Sequence, residues 1–301
     1  MSLARLLASA ALALLLAALL PAPVAPPAVV GTPAATPPPP VPPQPPKVGL
    51  ALGGGAARGF AHIGVIQVLE EHGIKPSLVV GTSAGSLVAA LYASGLNGQQ
   101  LAQLALAMDE GAITDWAFPG RGVIRGEALA RWVREHTRGR PIEQMPLPLG
   151  IVATDLDSGE PVLFRRGDTG TAVRASSAVP AVFQPVRIGA REYVDGGLVA
   201  PVPVRYAREM GAELVIAVDI STPPDGHPTG DAVRLLLQTF NIMGASISRF
   251  ELRDADVVLR PALAGVGSAN FTARQRAIAA GREAALAQLP FIRTRLAQAM
   301  Q

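Results

Sequence analysis

Short apolar runs alternate with amphipathic stretches from residue 47 onward, and this alternation predicts β-strands followed by α-helices. The run Val48–Leu52 is apolar throughout and is followed by glycine, which predicts a buried strand. From Phe60 to Leu69 apolar residues recur every three or four positions, which predicts a helix that stops near Gly73. The first strand–helix unit is therefore visible in the pattern alone.

The same pattern continues toward the end of the chain. Strands are predicted at 77–80, 147–156, 160–166, 191–197, 213–220 and 255–261, and helices at 84–94, 171–179, 202–211 and 272–299, the last broken near Pro290. Because continuous apolar strands alternate with helices, the expected fold class is α/β, with a mostly parallel central sheet covered on both faces. Ligands of such folds bind beyond the carboxyl ends of the strands.

A glycine-rich corner, Gly53, Gly54 and Gly55, joins the first strand to the first helix. Glycines there let main-chain N–H groups approach a ligand, and the helix dipole favours negative charge. A P-loop would need lysine where the chain has Phe60, and a dinucleotide fingerprint would need glycine where it has Arg58. The corner therefore indicates a cradle for an oxyanion, with a tight turn that binds no ligand as the alternative.

A second corner carries a hydroxyl group. The sequence G-T-S-A-G at 81–85 places Ser83 between a predicted strand and a predicted helix. This is the pattern of a nucleophile elbow, in which a sharp turn lifts the serine hydroxyl clear of the end of the sheet. The alternative is a helix-capping serine between glycines that allow close packing.

A carboxylate lies at a third strand end, where Asp195 is followed by two glycines. A carboxylate in this place could accept the proton of Ser83 and return it later, acting as base and then as acid. The alternative is an aspartate that caps its own turn. Asp155 and Asp157 are interpreted as turn residues of this second kind.

Taken in order, these blocks resemble the bacterial patatin-like phospholipase family. The resemblance rests on G-G-G-A-A-R-G-F-A-H-I-G, G-T-S-A-G, A-S-S-A-V-P-A-V-F and D-G-G, and it covers roughly residues 48–220. It implies a three-layer α/β/α fold and a serine acyl hydrolase that acts on phospholipids, lysophospholipids or related esters through an acyl-enzyme. The implied machinery is a Ser–Asp dyad without a catalytic histidine, and no cofactor or metal is expected.

Site residues can be carried over from the resemblance position by position. Ser83 matches the nucleophile and Asp195 the carboxylate of the dyad, while the oxyanion-hole positions are Gly53, Gly54, Gly55 and Arg58. The block from Ser176 to Pro185 also matches the family, but it receives no catalytic role.

Two other functions remain open at this stage. The order Ser83, Asp195, His227 would also suit a Ser-His-Asp carboxylesterase. A lipid-binding module without catalysis is the other alternative. His62 lies just inside the first helix, where a role in packing or local hydrogen bonding is expected. The chain has four histidines without close ligand spacing and no cysteine, so a metal site is not expected.

The N-terminal part has a different composition. Residues 6–20 form an uncharged apolar run of 15 residues, shorter than the roughly 20 needed to span a bilayer. It is interpreted as a signal peptide or N-terminal anchor at 1–20. Half of residues 21–46 are proline, which indicates an extended linker before a domain at 47–301.

The net charge and the aromatic content of the chain restrict the kinds of binding partner that we expect. The net charge is only +3 and 4% of the residues are aromatic, so nucleic acid is not expected as a partner. The expected partners are a lipid or acyl-ester substrate and a membrane surface. The expected location is exported, periplasmic or membrane-associated through the N-terminal segment. Segments 117–126 and 240–250 are candidate interfacial or lid segments, with ordinary helix and loop roles as the alternative.

Overall fold

Parallel strands around Val48–Leu52 form the centre of the molecule. The computed structural model describes residues 45–115, 122–221, 230–267 and 270–300. Its strands are β1 (Val48–Leu52), β2 (Leu78–Thr82), β3 (Gly122–Ile124), β4 (Leu149–Asp155), β5 (Pro161–Phe164), β6 (Ala181–Phe183), β7 (Val186–Ile188), β8 (Arg191–Asp195), β9 (Leu214–Val218) and β10 (Val257–Leu259). Its α-helices are α1 (Phe60–Glu71), α2 (Ala84–Ala93), α3 (Gly98–Ala107), α4 (Glu127–His136), α5 (Thr169–Ser176), α6 (Val204–Glu209), α7 (Ala232–Glu251) and α8 (Arg274–Ala299).

The main sheet has the strand order β10-β9-β1-β2-β4-β8-β7, with β5 also paired to β4. The strands from β10 to β4 are parallel, whereas β8, β7 and β5 are antiparallel to their neighbours. The short strands β3 and β6 pair with each other in a separate parallel sheet. The predicted α/β class with a mostly parallel central sheet is confirmed.

Side chains of each parallel strand alternate between two apolar layers. In β1, Leu50 and Leu52 belong to the larger cluster, which also holds the buried residues of α1, α2 and α8. Ala51 faces the other way, into the cluster formed with α6 and the segment before it. Successive residues of a strand point to opposite faces of a sheet, so apolar residues at every position require helices on both sides.

Helices α1 and α8 approach each other closely because each has a glycine at the crossing. A Cβ placed on Gly64 would lie 2.7 Å from the main-chain nitrogen of Arg282. A Cβ on Gly281 would lie 2.8 Å from the carbonyl carbon of Ala61. No side chain fits in this space, so the contact depends on both glycines.

The predicted break near Pro290 is wrong, because α8 runs through it as one helix. Proline removes one main-chain hydrogen bond from a helix, at a cost of about 3 kcal/mol. Leu289 and Ile292, on either side of this point, are buried in the main core. Burial of two such side chains offsets a loss of that size, so tertiary packing overrides the local preference.

The N-terminal prediction lies almost wholly outside the described residues. The described ranges belong to one unit, Pro43–Gln301, so the signal or anchor at 1–20, the linker at 21–46 and the domain at 47–301 stay predictions. Within the described ranges, no helix has both the length and the apolar character needed to span a bilayer. Of the two candidate interfacial segments, 240–250 lies in α7, whereas residues 116–121 lie outside the description.

The α1–α8 crossing yields a prediction about stability. Replacing a helical glycine with alanine normally stabilises a helix by about 1 kcal/mol. Gly281→Ala should instead destabilise the protein by about 2 kcal/mol, because the added methyl group overpacks the crossing. Urea denaturation measures the difference. Gly230→Ala, outside any helix, is the control for an added methyl group without contacts, since a Cβ there meets no atom within 4 Å. Equal stability of the two variants would show that the helices do not touch in this way.

Candidate active site

Ser83 lies on a strained corner between β2 and α2. Its φ of 53° and ψ of −124° are unusual for a residue other than glycine, and such strain clusters at functional sites. The flanking glycines make the corner possible: a Cβ on Gly81 would lie 2.5 Å from the Cα of Ser86, and one on Gly85 would lie 2.6 Å from the carbonyl carbon of Leu52. The strand–turn–helix context that G-T-S-A-G predicts is present.

The hydroxyl of Ser83 reaches the carboxylate of Asp195 directly. Ser83 Oγ donates to Asp195 Oδ2 at 2.6 Å, and the N–H of Gly197 donates to the other carboxylate oxygen at 2.6 Å. The two residues are 112 positions apart in sequence. They meet because β4 lies between β2 and β8 and pairs with both. Asp195 lies opposite Ala153 of β4, and the preceding residue of β4 pairs with Thr82 at the end of β2.

The carboxyl group of Asp195 has an unusual proton affinity. Burial raises its pKa to about 6, although the hydrogen bonds from Ser83 and Gly197 act in the lowering direction. A free aspartate, with a pKa of about 3.9, is a poor base for a hydroxyl group. The buried carboxylate holds a proton more readily, which makes it better suited to accept one from Ser83.

The glycine-rich corner borders Ser83, but its three N–H groups differ. The N–H of Gly53 donates to the carbonyl of Val218 at 3.0 Å, and that of Gly54 donates to the carbonyl of Pro201 at 2.9 Å. Both donors are therefore occupied, and they fix the loop. The N–H of Gly55 has no hydrogen-bond partner in the part of the chain that the structure describes. Of the three glycines expected to line an oxyanion hole, only Gly55 thus has an open N–H in the described ranges, and the oxyanion role of the loop stays a prediction.

Gly54 has a different part in the corner. A Cβ placed on it would lie 3.2 Å from the Cβ of Ser83, so a side chain there would crowd the serine. The next residue after the glycines, Ala56, has a φ of 50°. The loop therefore lies next to Ser83 without a side chain between them.

His62 and Arg58 lie beneath this loop. His62 is fully buried, and its Nε2 donates to the carbonyl of Gly53 at 2.8 Å, since a carbonyl oxygen can only accept. Burial lowers the pKa of His62 to about 4, so its ring is neutral at physiological pH. Arg58 is buried in the turn Ala56–Gly59, and desolvation lowers its pKa against the opposing charge of Asp219. The expected structural role of His62 is confirmed, and the oxyanion role of Arg58 stays a prediction.

Hydroxyl groups from another strand and another helix hold Ser83 and Asp195 in place. Ser83 N–H donates to Ser176 Oγ at 2.8 Å, and the Ser176 hydroxyl donates to the carbonyl of Val152 at 2.5 Å. Thr154 Oγ1 donates to the carbonyl of Asp195 at 2.8 Å. The sequence signals Ser176 only through the A-S-S-A-V-P block, which carries no local sign of this contact.

Comparison with known proteins identifies the family. The family model described as patatin-like phospholipase matches residues 50–208, more than half of the chain. The chain belongs to the patatin-like phospholipase family. An uncharacterized NTE family protein of Mycobacterium tuberculosis (strain ATCC 25618 / H37Rv) is 38% identical over 190 residues, which cover 62% of this chain and 52% of that protein.

Other relatives extend the comparison. Patatin-like phospholipase domain-containing protein 6 of Mus musculus is 33% identical over 183 residues, covering 58% of this chain and 14% of that protein. The chain thus spans about half the length of the mycobacterial relative and a small part of the mouse one. The crystal structure of VipD from Legionella pneumophila aligns with a TM-score of 0.58 at 16% identity, over 82% of this chain and 67% of that chain. This last similarity shows the fold alone.

The other residues singled out in the sequence of this patatin-like chain are not part of the Ser83–Asp195 site in the described ranges. Asp155 accepts hydrogen bonds from the N–H groups of Asp157 and Ser158 and pairs with Arg191, as expected for a turn residue. His227 lies outside the described residues. Within the described ranges, no three His, Cys, Asp or Glu side chains are grouped closely enough to bind a metal ion.

An apolar cavity of about 70 Å³ borders the patatin-like site. It begins beside Ala56 of the glycine-rich corner and Ala84, the residue after Ser83, and it extends to Trp132. Almost all of its lining is apolar, from α1, α2, α3 and α4. A larger hollow of about 650 Å³ lies around Leu149, at the opposite end of β4 from Asp155, and does not reach the site.

The hydrogen bonds of Ser176 yield a prediction. Ser176→Ala should destabilise the protein by about 1–3 kcal/mol, because the buried N–H of Ser83 loses its acceptor. Urea denaturation measures the loss. Ser177→Ala is the neighbouring control, for which a change near zero is expected, since within the described ranges Ser177 forms hydrogen bonds only through its backbone. Similar values for both variants would contradict the bridging role.

Proposed function

We propose that this protein is a serine acyl hydrolase that cleaves fatty-acyl esters of phospholipids, lysophospholipids or related lipids. The observation that carries the proposal is the 2.6 Å hydrogen bond from Ser83 Oγ to Asp195 Oδ2, at the carboxyl edge of the parallel strands. Membership of the patatin-like phospholipase family supports the same reaction class.

In the proposed reaction, Asp195 accepts the Ser83 proton as Oγ attacks the carbonyl carbon of the ester. The tetrahedral intermediate collapses, the bond to the leaving alcohol breaks, and Asp195 returns the proton to that alcohol. The acyl group is now bound to Ser83. A water molecule then attacks the acyl-enzyme while Asp195 takes its proton and passes it to Ser83 Oγ, which releases the fatty acid.

Main-chain donors would stabilise the oxyanion of each tetrahedral intermediate. The N–H of Gly55 is the open donor of the loop. The N–H of Ala84 begins α2, and the residue after the nucleophile is the usual second donor at such an elbow. A single donor of this kind contributes about 3 kcal/mol to the barrier reduction.

The geometry favours a dyad over a Ser-His-Asp triad. In a triad an imidazole separates the serine from the carboxylate. Here Ser83 occupies one oxygen of Asp195 and the N–H of Gly197 occupies the other, so the direct contact leaves no place for a ring between them. His62 does not serve either, because its Nε2 is bound to the carbonyl of Gly53.

The dyad is tested by two substitutions. Ser83→Ala and Asp195→Asn should each lower hydrolysis of a p-nitrophenyl ester by at least about a thousandfold, since each removes one half of the proton-transfer pair. Ser94→Ala, also on the α2 segment, is the control and should keep its rate. A fluorophosphonate probe should label the unmodified protein and fail to label Ser83→Ala. A lipid-binding module without catalysis would not react with the probe at Ser83.

The pH profile supplies a second readout for the dyad. Asp195 must be unprotonated to accept a proton, and its pKa is raised to about 6. The rate should therefore rise as pH increases through about 6 and then level off. An essential imidazole would instead make the rate depend on a histidine, and His227→Ala would then be inactive.

The apolar cavity beside Ala84 suggests where the acyl chain lies. The cavity is small, at about 70 Å³, and it begins beside the residue that follows Ser83. We therefore propose that the site favours short acyl chains such as butanoate and hexanoate over palmitate. The chemistry of the lining fits this use, because only apolar side chains would contact the chain.

Chain-length preference tests the cavity. Ala105→Leu adds volume to the lining and should reduce hydrolysis of the hexanoate ester about tenfold, while hydrolysis of the acetate ester is kept. Ala107→Leu, exposed on the same helix, is the control and should leave the profile unchanged. An equal loss for every ester, or none, would place the acyl chain elsewhere.

A further inference from the structure

Helix α7 turns large apolar side chains toward solvent. Of the twelve exposed large hydrophobic residues in the described ranges, six belong to this helix: Val233, Leu235, Leu236, Ile242, Met243 and Phe250. Only Ser248 of α7 is buried. Surface helices of soluble proteins normally expose charged residues on the outer face, and a concentration of exposed apolar groups marks an interaction site.

These residues form one continuous face. Leu236, Met243 and Phe250 are seven residues apart, close to two helical turns, so they lie in one row with exposed fractions of 38, 50 and 62%. Leu235 and Ile242 form the adjacent row. From Leu235 to residue 248 the helix carries no charged residue. We call this surface, formed by Leu235, Leu236, Ile242, Met243 and Phe250, the outer face of α7.

Arginines stand at both ends of the outer face. Arg234 precedes it, and Arg249 and Arg253 lie at its C-terminal end, exposed to solvent. The guanidinium of Arg253 lies 4.9 Å from the centre of the Phe250 ring. Arg234 pairs with Asp231, whereas neither Arg249 nor Arg253 has an ion pair among the described residues. Apolar surface edged by arginine is the composition of helices that lie in the lipid headgroup region.

The inner side of α7 lies over the candidate active site. A Cβ on Gly244 would lie 3.6 Å from the side chain of Pro201. The carbonyl of Pro201 accepts the hydrogen bond that fixes Gly54, and Pro201 follows the turn Gly196–Leu198 next to Asp195. A surface bound to the outer face would therefore lie close to Ser83 and Asp195.

We propose that the outer face of α7 docks on a membrane surface that contains anionic phospholipid. Such a surface offers an apolar layer for Met243 and Phe250 and negative charge for Arg249 and Arg253 at the same time. The docking is a binding event, and it is separate from the proposed hydrolysis. It is therefore tested in a Ser83→Ala background, where lipid is not consumed.

A single fluorophore can report on α7 because the chain contains no cysteine. Met243→Cys, labelled with the environment-sensitive dye NBD, is mixed with vesicles of phosphatidylcholine and phosphatidylglycerol. We expect the NBD emission to rise severalfold and to be quenched by lipids that carry a nitroxide on the acyl chain. The matched control is Phe291→Cys on α8, whose side chain is 48% exposed against 50% for Met243. Its label should remain in water.

The arginines are tested with the same label. Arg249→Gln and Arg253→Gln should each weaken binding to these vesicles by about fivefold, the effect of one arginine near an anionic surface. Arg131→Gln, exposed on α4, should leave the affinity unchanged. Vesicles of phosphatidylcholine alone should show weaker binding and little difference between the variants.

Several results would overturn the proposal. A label at position 243 that stays in water on vesicle-bound protein would assign binding to another segment. The label could also be shielded from water before vesicles are added. If this shielding grows with protein concentration, the outer face of α7 binds a second copy of the chain. If it does not, the face is covered by other residues of the same chain. Failure of the proposed hydrolysis is seen separately, as loss of ester cleavage in protein with Ser83 intact and with α7 still docking.

Discussion

The hydrogen bond between Ser83 and Asp195 is the contact on which the candidate site depends. It forms because β8 pairs with β4 in a register that places Asp195 opposite Ala153, beside the residue of β4 that pairs with Thr82 at the end of β2. Burial raises the pKa of the Asp195 carboxyl group to about 6. The position of Asp195 in the sheet therefore sets both its distance to Ser83 and its proton affinity.

The site is assembled at a cost in stability that the rest of the fold offsets. Ser83 and Ala56 both have positive φ, and strained residues of this kind cost about 1–3 kcal/mol each. The neutral ring of His62 and the carboxyl group of Asp195 are buried besides. The compensating contacts are hydrogen bonds that hold the backbone, such as the one that the Ser83 N–H donates to Ser176 Oγ, together with the large apolar core on the α1 side of the sheet.

Three features meet at the carboxyl edge of the sheet: the hydrogen-bonded pair Ser83–Asp195, the apolar cavity and α7. The cavity opens beside Ala84 on the α2 side, whereas α7 lies over Pro201 on the other side of Ser83. The cavity and the outer face of α7 are thus two separate apolar surfaces near the Ser83–Asp195 pair.

The sequence by itself determined the elements whose signals are local. The apolar strands, the elbow at Ser83 and the glycine-rich corner follow from the residues next to them, because backbone conformation is set over a few positions. Only the tertiary structure decided which groups meet. Ser176 binds the N–H of Ser83 from 93 residues away, and the continuity of α8 through Pro290 depends on burial against other elements. Which loop N–H stays open, and which face of α7 stays uncovered, depend likewise on neighbours that are distant in sequence and close in space.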